Sequence, residues 1–323
     1  MRCKVPAAAG AERRKNKSER EETALSRRML RRAHPFPEFD GFLVFDEGPH
    51  TYHVDGVQFG STSGMYGQFF DEFDAGAVID GMMRSRRWPE SKYYGMTREG
   101  IAAGWKAAGA EASARGTVMH EVIERNLDGQ IDEEDVACTA LAFAMQDQTL
   151  ETRPDGDSGT PSVPSLHHEL GHYLRFRDEW LNPSGFVPWR VELQVFSRAH
   201  KLAGTIDGLF MNPATGNFVI VDWKRSKDLD KENKFRKRAK PPISHMDGTK
   251  YAKYELQQNV YRWMLEHAHC EAAASGCPAR RYKVEALYLA VFHPNNESYV
   301  VERLGDRQRE VEAMLAFVQE KGK

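Results

Sequence analysis

Gly204-Thr205-Ile206-Asp207 and Val221-Asp222-Trp223-Lys224, set on either side of Asn212-Pro213-Ala214-Thr215-Gly216-Asn217, are the residues from which this chain is best read. The central cluster is turn-forming and its flanks are apolar, which predicts a β-hairpin. With the turn centred near Ala214 and Thr215, Asp207 falls opposite Asp222, to within a one-residue bulge. Side chains alternate along a strand, so Asp222 and Lys224 share one face. Val219, Val221 and Trp223 take the other, together with Ile206 and Phe210. Two acids and a lysine therefore converge at one end of an apolar hairpin.

Working outward, Phe186 to Arg198 reads as a strand that carries Glu192, and antiparallel pairing would place Glu192, Asp207 and Asp222 in one sheet. A sheet-edge glutamate without a role is the equal alternative. Upstream, alanines and apolar residues recur at helical spacing from about Ile101 to Leu127, with an interruption expected at Gly116 and a stop at Asp128-Gly129. His120 and Glu124 share a face of that helix, whereas Glu121 points elsewhere. Downstream, a helix is expected from about Lys250 to His269, with Gln257 and Tyr261 one turn apart. Val284 to Phe292 and Ser298 to Leu304 read as a strand pair, and a last helix runs from about Asp306 to Glu320.

Hard divalent cations prefer carboxylate oxygens, and they polarise phosphates and lower the pKa of an attacking water. Asp207 and Asp222 supply the charge. A His120 nitrogen as third ligand suits manganese as well as magnesium, the backbone carbonyl of Trp223 is within reach of the same ion, and Glu124 or Glu192 is a candidate further ligand. Lys224 would orient the water and stabilise charge developing on a phosphate. Read as structure alone, the lysine is a salt-bridge partner of the two acids.

A rival lies at His168-Glu169-Leu170-Gly171-His172, which matches H-E-x-x-H, the zinc-peptidase helix in which two histidines bind metal and the glutamate is the base. Its extended form fails, because Arg175 and Asp178 stand where a glycine and a third histidine belong. The plainer expectation is the exposed polar face of a helix from about Ser165 to Leu181.

The rest of the chain frames these elements. Residues 1 to 34 hold eleven Lys/Arg against four Asp/Glu, a basic disordered arm. Gly41 to Phe59 reads as short strands, and Ser61 to Phe73 leads into helical sequence. Trp88 to Gly104 is aromatic and basic, a channel lining or a plain surface helix. A helix from about Glu133 to Glu151 and a loop over Arg153 to Ser165 follow the acidic stretch at Asp128 to Asp135. Residues 231 to 240 hold six Lys/Arg against one Asp/Glu. Arg225, Lys227, Lys234, Arg236, Lys237, Arg238 and Lys240 are therefore candidate phosphate contacts.

In order, G-x-x-x-H at Gly116 to His120, G-x-x-D at Gly204 to Asp207, D-x-K at Asp222 to Lys224 and Q-x-x-x-Y at Gln257 to Tyr261 resemble the motif series of RecB-like PD-(D/E)XK nucleases, including exonuclease-type members from viruses and phages. The likeness covers roughly residues 101 to 304. It implies an α/β, restriction-endonuclease-like core with a central mixed sheet flanked by helices. It also implies metal ligation by His120, Asp207 and Asp222, catalysis by Lys224, and DNA positioning or bracing by Gln257 and Tyr261. On that reading the chain divides into the basic arm, an N-terminal β/α extension over 35–100 and a nuclease core over 101–323, with an insertion at about 128–170. The expected activity is metal-dependent cleavage of DNA at ends, with magnesium or manganese as cofactor and RNA left open as a substrate. The third alternative, beside the zinc peptidase, is a nucleic-acid-binding protein that keeps the fold without turnover.

Composition agrees with a chain that builds a real core: 323 residues, 41% hydrophobic and 28% charged, with a net charge of −2. No apolar run reaches the roughly 20 residues of a membrane span, and the N-terminus lacks an apolar signal core. Cys3, Cys138, Cys270 and Cys277 form no CxxC pair, which argues against an iron-sulfur cluster or a disulfide framework and suits an intracellular, cytoplasmic or nuclear protein.

Overall fold

Alternating apolar strands and helices build one mixed sheet in the computed structural model, which describes residues 28–46, 48–141, 166–227, 229–274 and 280–321. The first half contributes helix α1 (Arg28–Ala33), strands β1 (Leu43–Asp46), β2 (Thr51–Val54) and β3 (Val57–Ser61), and helices α2 (Thr62–Gly67), α3 (Ala75–Arg84) and α4 (Arg98–Leu127). The second half contributes α5 (His167–Phe176), β4 (Val187–Ser197), β5 (Leu202–Met211), β6 (Phe218–Lys224), α6 (Lys250–Ala274), β7 (Val284–Val291), β8 (Val300–Arg303) and α7 (Gln308–Lys321). Residues 133–141 are also helical. Most of the expected basic arm, the loop over 153–165 and the end of the helix expected to reach Glu151 fall outside the described residues.

The eight strands run in the order β1-β2-β3-β5-β6-β7-β8, with β4 paired to β5. Helices cover both faces, which is the restriction-endonuclease-like α/β architecture. β4 lies antiparallel along one edge of β5, from Ser197 opposite Leu202 to Val187 opposite Met211. The other edge of β5 is divided. β3 pairs in parallel with its first residues, Leu202 and Ala203, and β6 pairs antiparallel with its last, from Gly208 opposite Val221 to Met211 opposite Phe218. Asp207 lies in the opening between them.

The hairpin closes as its turn residues demand. Asn212 donates its amide to the Asn217 carbonyl, its side chain accepts from the Ala214 amide, and Gly216 takes the left-handed φ of +71°. Glu285 then accepts from Asn212, Thr215 and Asn217, tying the turn to β7. β6 continues into β7 through the parallel crossover that α6 provides, in register up to Lys224 beside Val291.

Two cores result. Phe218 and Ile220 face α6 and α7 with Leu256, Val260, Met314 and Leu315. Val219, Val221 and Trp223 face α4 and α5 with Met119, Ile123, Leu170 and Phe176. Ile206 corrects the simple alternation, because it packs with the α6 core rather than with Phe210 and Trp223. A side chain added to Gly204 would strike the Tyr261 ring of α6, whereas one added to Gly208 would strike Trp223 on the opposite face. Residues four apart on a regular strand share a face, so the strand changes face between them.

α4 also differs from expectation. Thr97 caps the Gly100 amide, and the helix runs unbroken through Gly116. One glycine costs a helix only about 1 kcal/mol, and helix-forming neighbours carry it. Cys138 is disulfide-bonded, while the scattered cysteines argue only against a disulfide framework.

Candidate active site

Asp207 and Asp222 lie where the turn geometry places them. The β5–β6 register continues from Gly208 opposite Val221 toward these two residues. At the divided edge the ladder gives way to side chains: Asp207 Oδ2 accepts the Trp223 amide at 3.2 Å. Across β5, Val191 faces Gly208 and Leu193 faces Ile206, so Glu192 stands level with Asp207. Glu192 adopts a left-handed φ of +48°, rare for a residue with a side chain. The change of strand face and the left-handed residue coincide at this level.

Groups from both faces of the sheet meet there. From α4, His120 Nδ1 approaches Asp207 Oδ2 to 3.6 Å. One ligand atom from each of His120, Glu192 and Asp207 lies within 4.8 Å of the other two. A nitrogen and two carboxylate oxygens at this spacing fit a divalent cation such as magnesium or manganese. This grouping takes Glu192, leaves out Glu124, which is buried on α4, and does not include Asp222, the ligand expected beside His120 and Asp207.

From the α6 side, Lys224 Nζ contacts Asp222 Oδ2 at 2.7 Å and Oδ1 at 2.9 Å. Gln258 Nε2 donates to the same Oδ1 at 2.7 Å. Gln258 is absent from the motif series, which names Gln257. Gln257 instead donates to the Tyr261 hydroxyl at 3.1 Å, one turn away. The missed signal is a helical stripe: Tyr254, Gln258 and Tyr261 recur at i, i+4 and i+7. Tyr254 lies under the Lys224 ammonium at 5.5 Å, Gln258 holds Asp222, and Tyr261 fills the space that Gly204 leaves open.

Burial sets the charges. It pushes Asp222 up to about 7, against the opposing pull of Lys224, and it raises Asp207 likewise. Burial alone would lower the Lys224 ammonium, yet Asp222 and then Asp207 outweigh it and hold Lys224 above its ordinary value. His120 is pushed down to about 4 by burial and then by Lys224, which leaves a neutral imidazole able to ligate metal. The Oε1 of Gln258 is buried beside these carboxylates and meets no donor among the described residues. The cluster thus holds one ammonium among carboxylates that burial penalises, an electrostatic deficit a cation would offset.

The H-E-x-x-H stretch does not form the exposed polar face expected of it. Glu169 and His172 are buried on α5, and Glu169 Oε1 takes the Arg225 guanidinium at 2.6 Å. His168 is exposed and its ring lies against His167 at 3.8 Å. The glutamate that a zinc peptidase would need as its base is thus held by an arginine, and His120, Glu192 and Asp207 form the one metal-competent group among the described residues. Of the candidate phosphate contacts, Arg225 pairs with Glu169, Arg238 with Asp247 and Lys240 with Asp71. Lys227, Lys234, Arg236 and Lys237 are exposed.

A divided mixed sheet thus presents acids, a histidine and a lysine at one opening, a donor set suited to a divalent cation. The model of the PD-(D/E)XK nuclease superfamily matches residues 90–323, and no curated protein matches the chain. The chain belongs to the PD-(D/E)XK nuclease superfamily.

Proposed function

We propose that this nuclease hydrolyses phosphodiester bonds of DNA at strand ends, as the exonuclease-type RecB-like enzymes that its motifs resemble do, in DNA repair or recombination. The observation that carries the reading is the meeting of His120, Glu192 and Asp207 beside the Asp222–Lys224 pair. His120, Glu192 and Asp207 would hold a magnesium or manganese ion, with Asp222 and the Trp223 carbonyl adjoining. When bound, such an ion polarises the scissile phosphate and makes water a stronger nucleophile. Lys224, kept charged by its two acids, donates to a phosphate oxygen as negative charge develops, and Asp222 fixes the direction of that ammonium. Gln257 and Tyr261 brace α6 against β5, and the exposed cations from Lys227 to Lys237 hold the backbone of the incoming strand. On this reading the enzyme works inside the cell, in the cytoplasm or nucleus.

The test is digestion of end-labelled linear DNA, closed-circular DNA and RNA in magnesium or manganese, with Lys224→Ala alongside the wild type. The expected result is cleavage of linear DNA, resistance of the circle, and a fall of about 10²- to 10³-fold in rate for the variant. Cleavage of the circle would replace end dependence with endonuclease action. Equal activity of Lys224→Ala would overturn the catalytic assignment.

A further inference from the structure

Phe235 is 82% exposed, more than any other large apolar residue among those described. It sits in Lys234-Phe235-Arg236-Lys237-Arg238, on the connection that leaves β6 at Lys224 and returns at α6. Among the described residues no other ring packs on it.

The segment that presents Phe235 is braced. The Asn233 side chain donates to the Lys237 carbonyl at 2.7 Å and to Asp247 at 2.9 Å, and accepts from the Lys237 amide at 2.8 Å. Arg236 turns the chain with a left-handed φ of +51°, and its amide donates to the Asn233 carbonyl at 3.1 Å. The Gly248 amide then holds the Lys237 carbonyl at 2.8 Å. An exposed phenylalanine is thus carried on a closed, hydrogen-bonded turn.

The turn also adjoins the site. Lys234 lines a cleft of about 370 Å³ together with Lys227, Lys231, Asp230, Glu232 and Val291, and Val291 is the sheet partner of Lys224. Lys250, at the start of α6, donates to Ser226 at 2.8 Å, so the two ends of the connection are tied to each other. An exposed aromatic face between cations, Lys234 on one side and Arg236 and Lys237 on the other, has the chemistry of a single-stranded nucleic-acid platform. The cations take phosphates while the ring takes the face of a base, whatever its identity. Bases inside a duplex are already stacked, so an unpaired base is the one free to accept the ring.

We propose that Phe235 stacks on an unpaired nucleobase of the substrate strand, with Lys234, Arg236 and Lys237 holding the neighbouring phosphates. This rests on the reading of the site as one that takes nucleic acid. It adds that single-stranded character near the cleavage point is part of recognition.

The experiment measures binding without turnover, in EDTA, to a single-stranded DNA carrying 2-aminopurine and to a strand of the same length with abasic sites. Wild type, Phe235→Ala, Phe235→Leu and Phe235→Trp are compared. The wild type should quench the 2-aminopurine emission and prefer the base-bearing strand. Phe235→Ala should lose the quenching and bind roughly tenfold more weakly, without discriminating against the abasic strand. Phe235→Trp should restore both properties and Phe235→Leu neither. If the wild type binds DNA and Phe235→Ala or Phe235→Leu equals it, stacking is overturned and the nuclease reading stands. If Phe235→Leu alone equals the wild type, the residue gives the strand an apolar contact that needs no ring, and stacking is overturned likewise. If the wild type binds no DNA, the underlying nucleic-acid reading falls with it. Unchanged thermal melting of the variants checks that an exposed substitution has left the fold intact.

Discussion

Gln258 shows how much of this site depends on one side chain behind the reacting groups. It donates to Asp222 from a position with no exposure at all, and Asp222 in turn orients the Lys224 ammonium. Removing the amide leaves a buried carboxylate short of a donor, which by itself costs about 1–3 kcal/mol. We expect Gln258→Ala to lower kcat about tenfold or more with little change in KM, because the residue positions Asp222 and Lys224 and does not touch the strand. Gln258→Glu places a second acid against Asp222 and should be worse than alanine. Steady-state kinetics on linear DNA, paired with DNA affinity measured in EDTA, separate this positioning role from a binding role. The motif spacing points to Gln257 and not to Gln258, because a sequence pattern records spacing and not which face of a helix meets the sheet. The same limit leaves Glu192 level with Glu124 as a candidate ligand in the sequence: its place beside Asp207 depends on the β4 register and a left-handed backbone, neither of which alternation predicts.

At the scale of elements, the hairpin and the helices were legible because their signals are local. Asn212 to Asn217 contains its own turn chemistry, and a reading from the turn outward reproduces the observed β5–β6 register. The H-E-x-x-H helix misled for the opposite reason. Its polar residues look solvent-facing until Arg225, which follows Lys224, arrives to pair with Glu169. This pair fastens α5 to the end of β6. Arg225→Ala strands a buried carboxylate, and breaking a buried pair costs about 3–5 kcal/mol. Chemical denaturation should show a loss of that order, and replacing Glu169 and Arg225 together by apolar residues should recover most of it. A zinc-peptidase role for Glu169 predicts instead that Glu169→Ala abolishes peptide cleavage in a protein of unaltered stability.

For the molecule as a whole, the N-terminal strands are continuous with the sheet that carries the site. β3 pairs with the start of β5, and the Tyr52 hydroxyl bonds Thr205, two residues before Asp207. Arg190 of β4 is buried and reaches back to Asp40 through two contacts of 3.0 Å and to the His34 carbonyl at 3.1 Å. Asp40→Ala leaves that guanidinium with the His34 carbonyl as its hydrogen-bond acceptor among the described residues, over the Phe36 ring. A loss of about 3–5 kcal/mol is expected, read as a clear fall in melting temperature, with residual activity at low temperature if the site itself is undisturbed. No helix among the described residues is long and apolar enough to cross a membrane.

Local chemistry written along the chain determined the hairpin, the partnership of Asp222 with Lys224, the helix bearing His120 and, through four spaced motifs, the superfamily. Tertiary structure alone decided which groups share the opening. Glu192 joins His120 and Asp207, Gln258 holds Asp222, and Arg225 claims Glu169, because each contact spans elements far apart in sequence whose faces and registers are set by packing. The physical reason lies at the divided edge of β5. Two strands share one side of a third, the strand changes face near Asp207, and side chains from opposite layers of the protein meet where no backbone partner separates them.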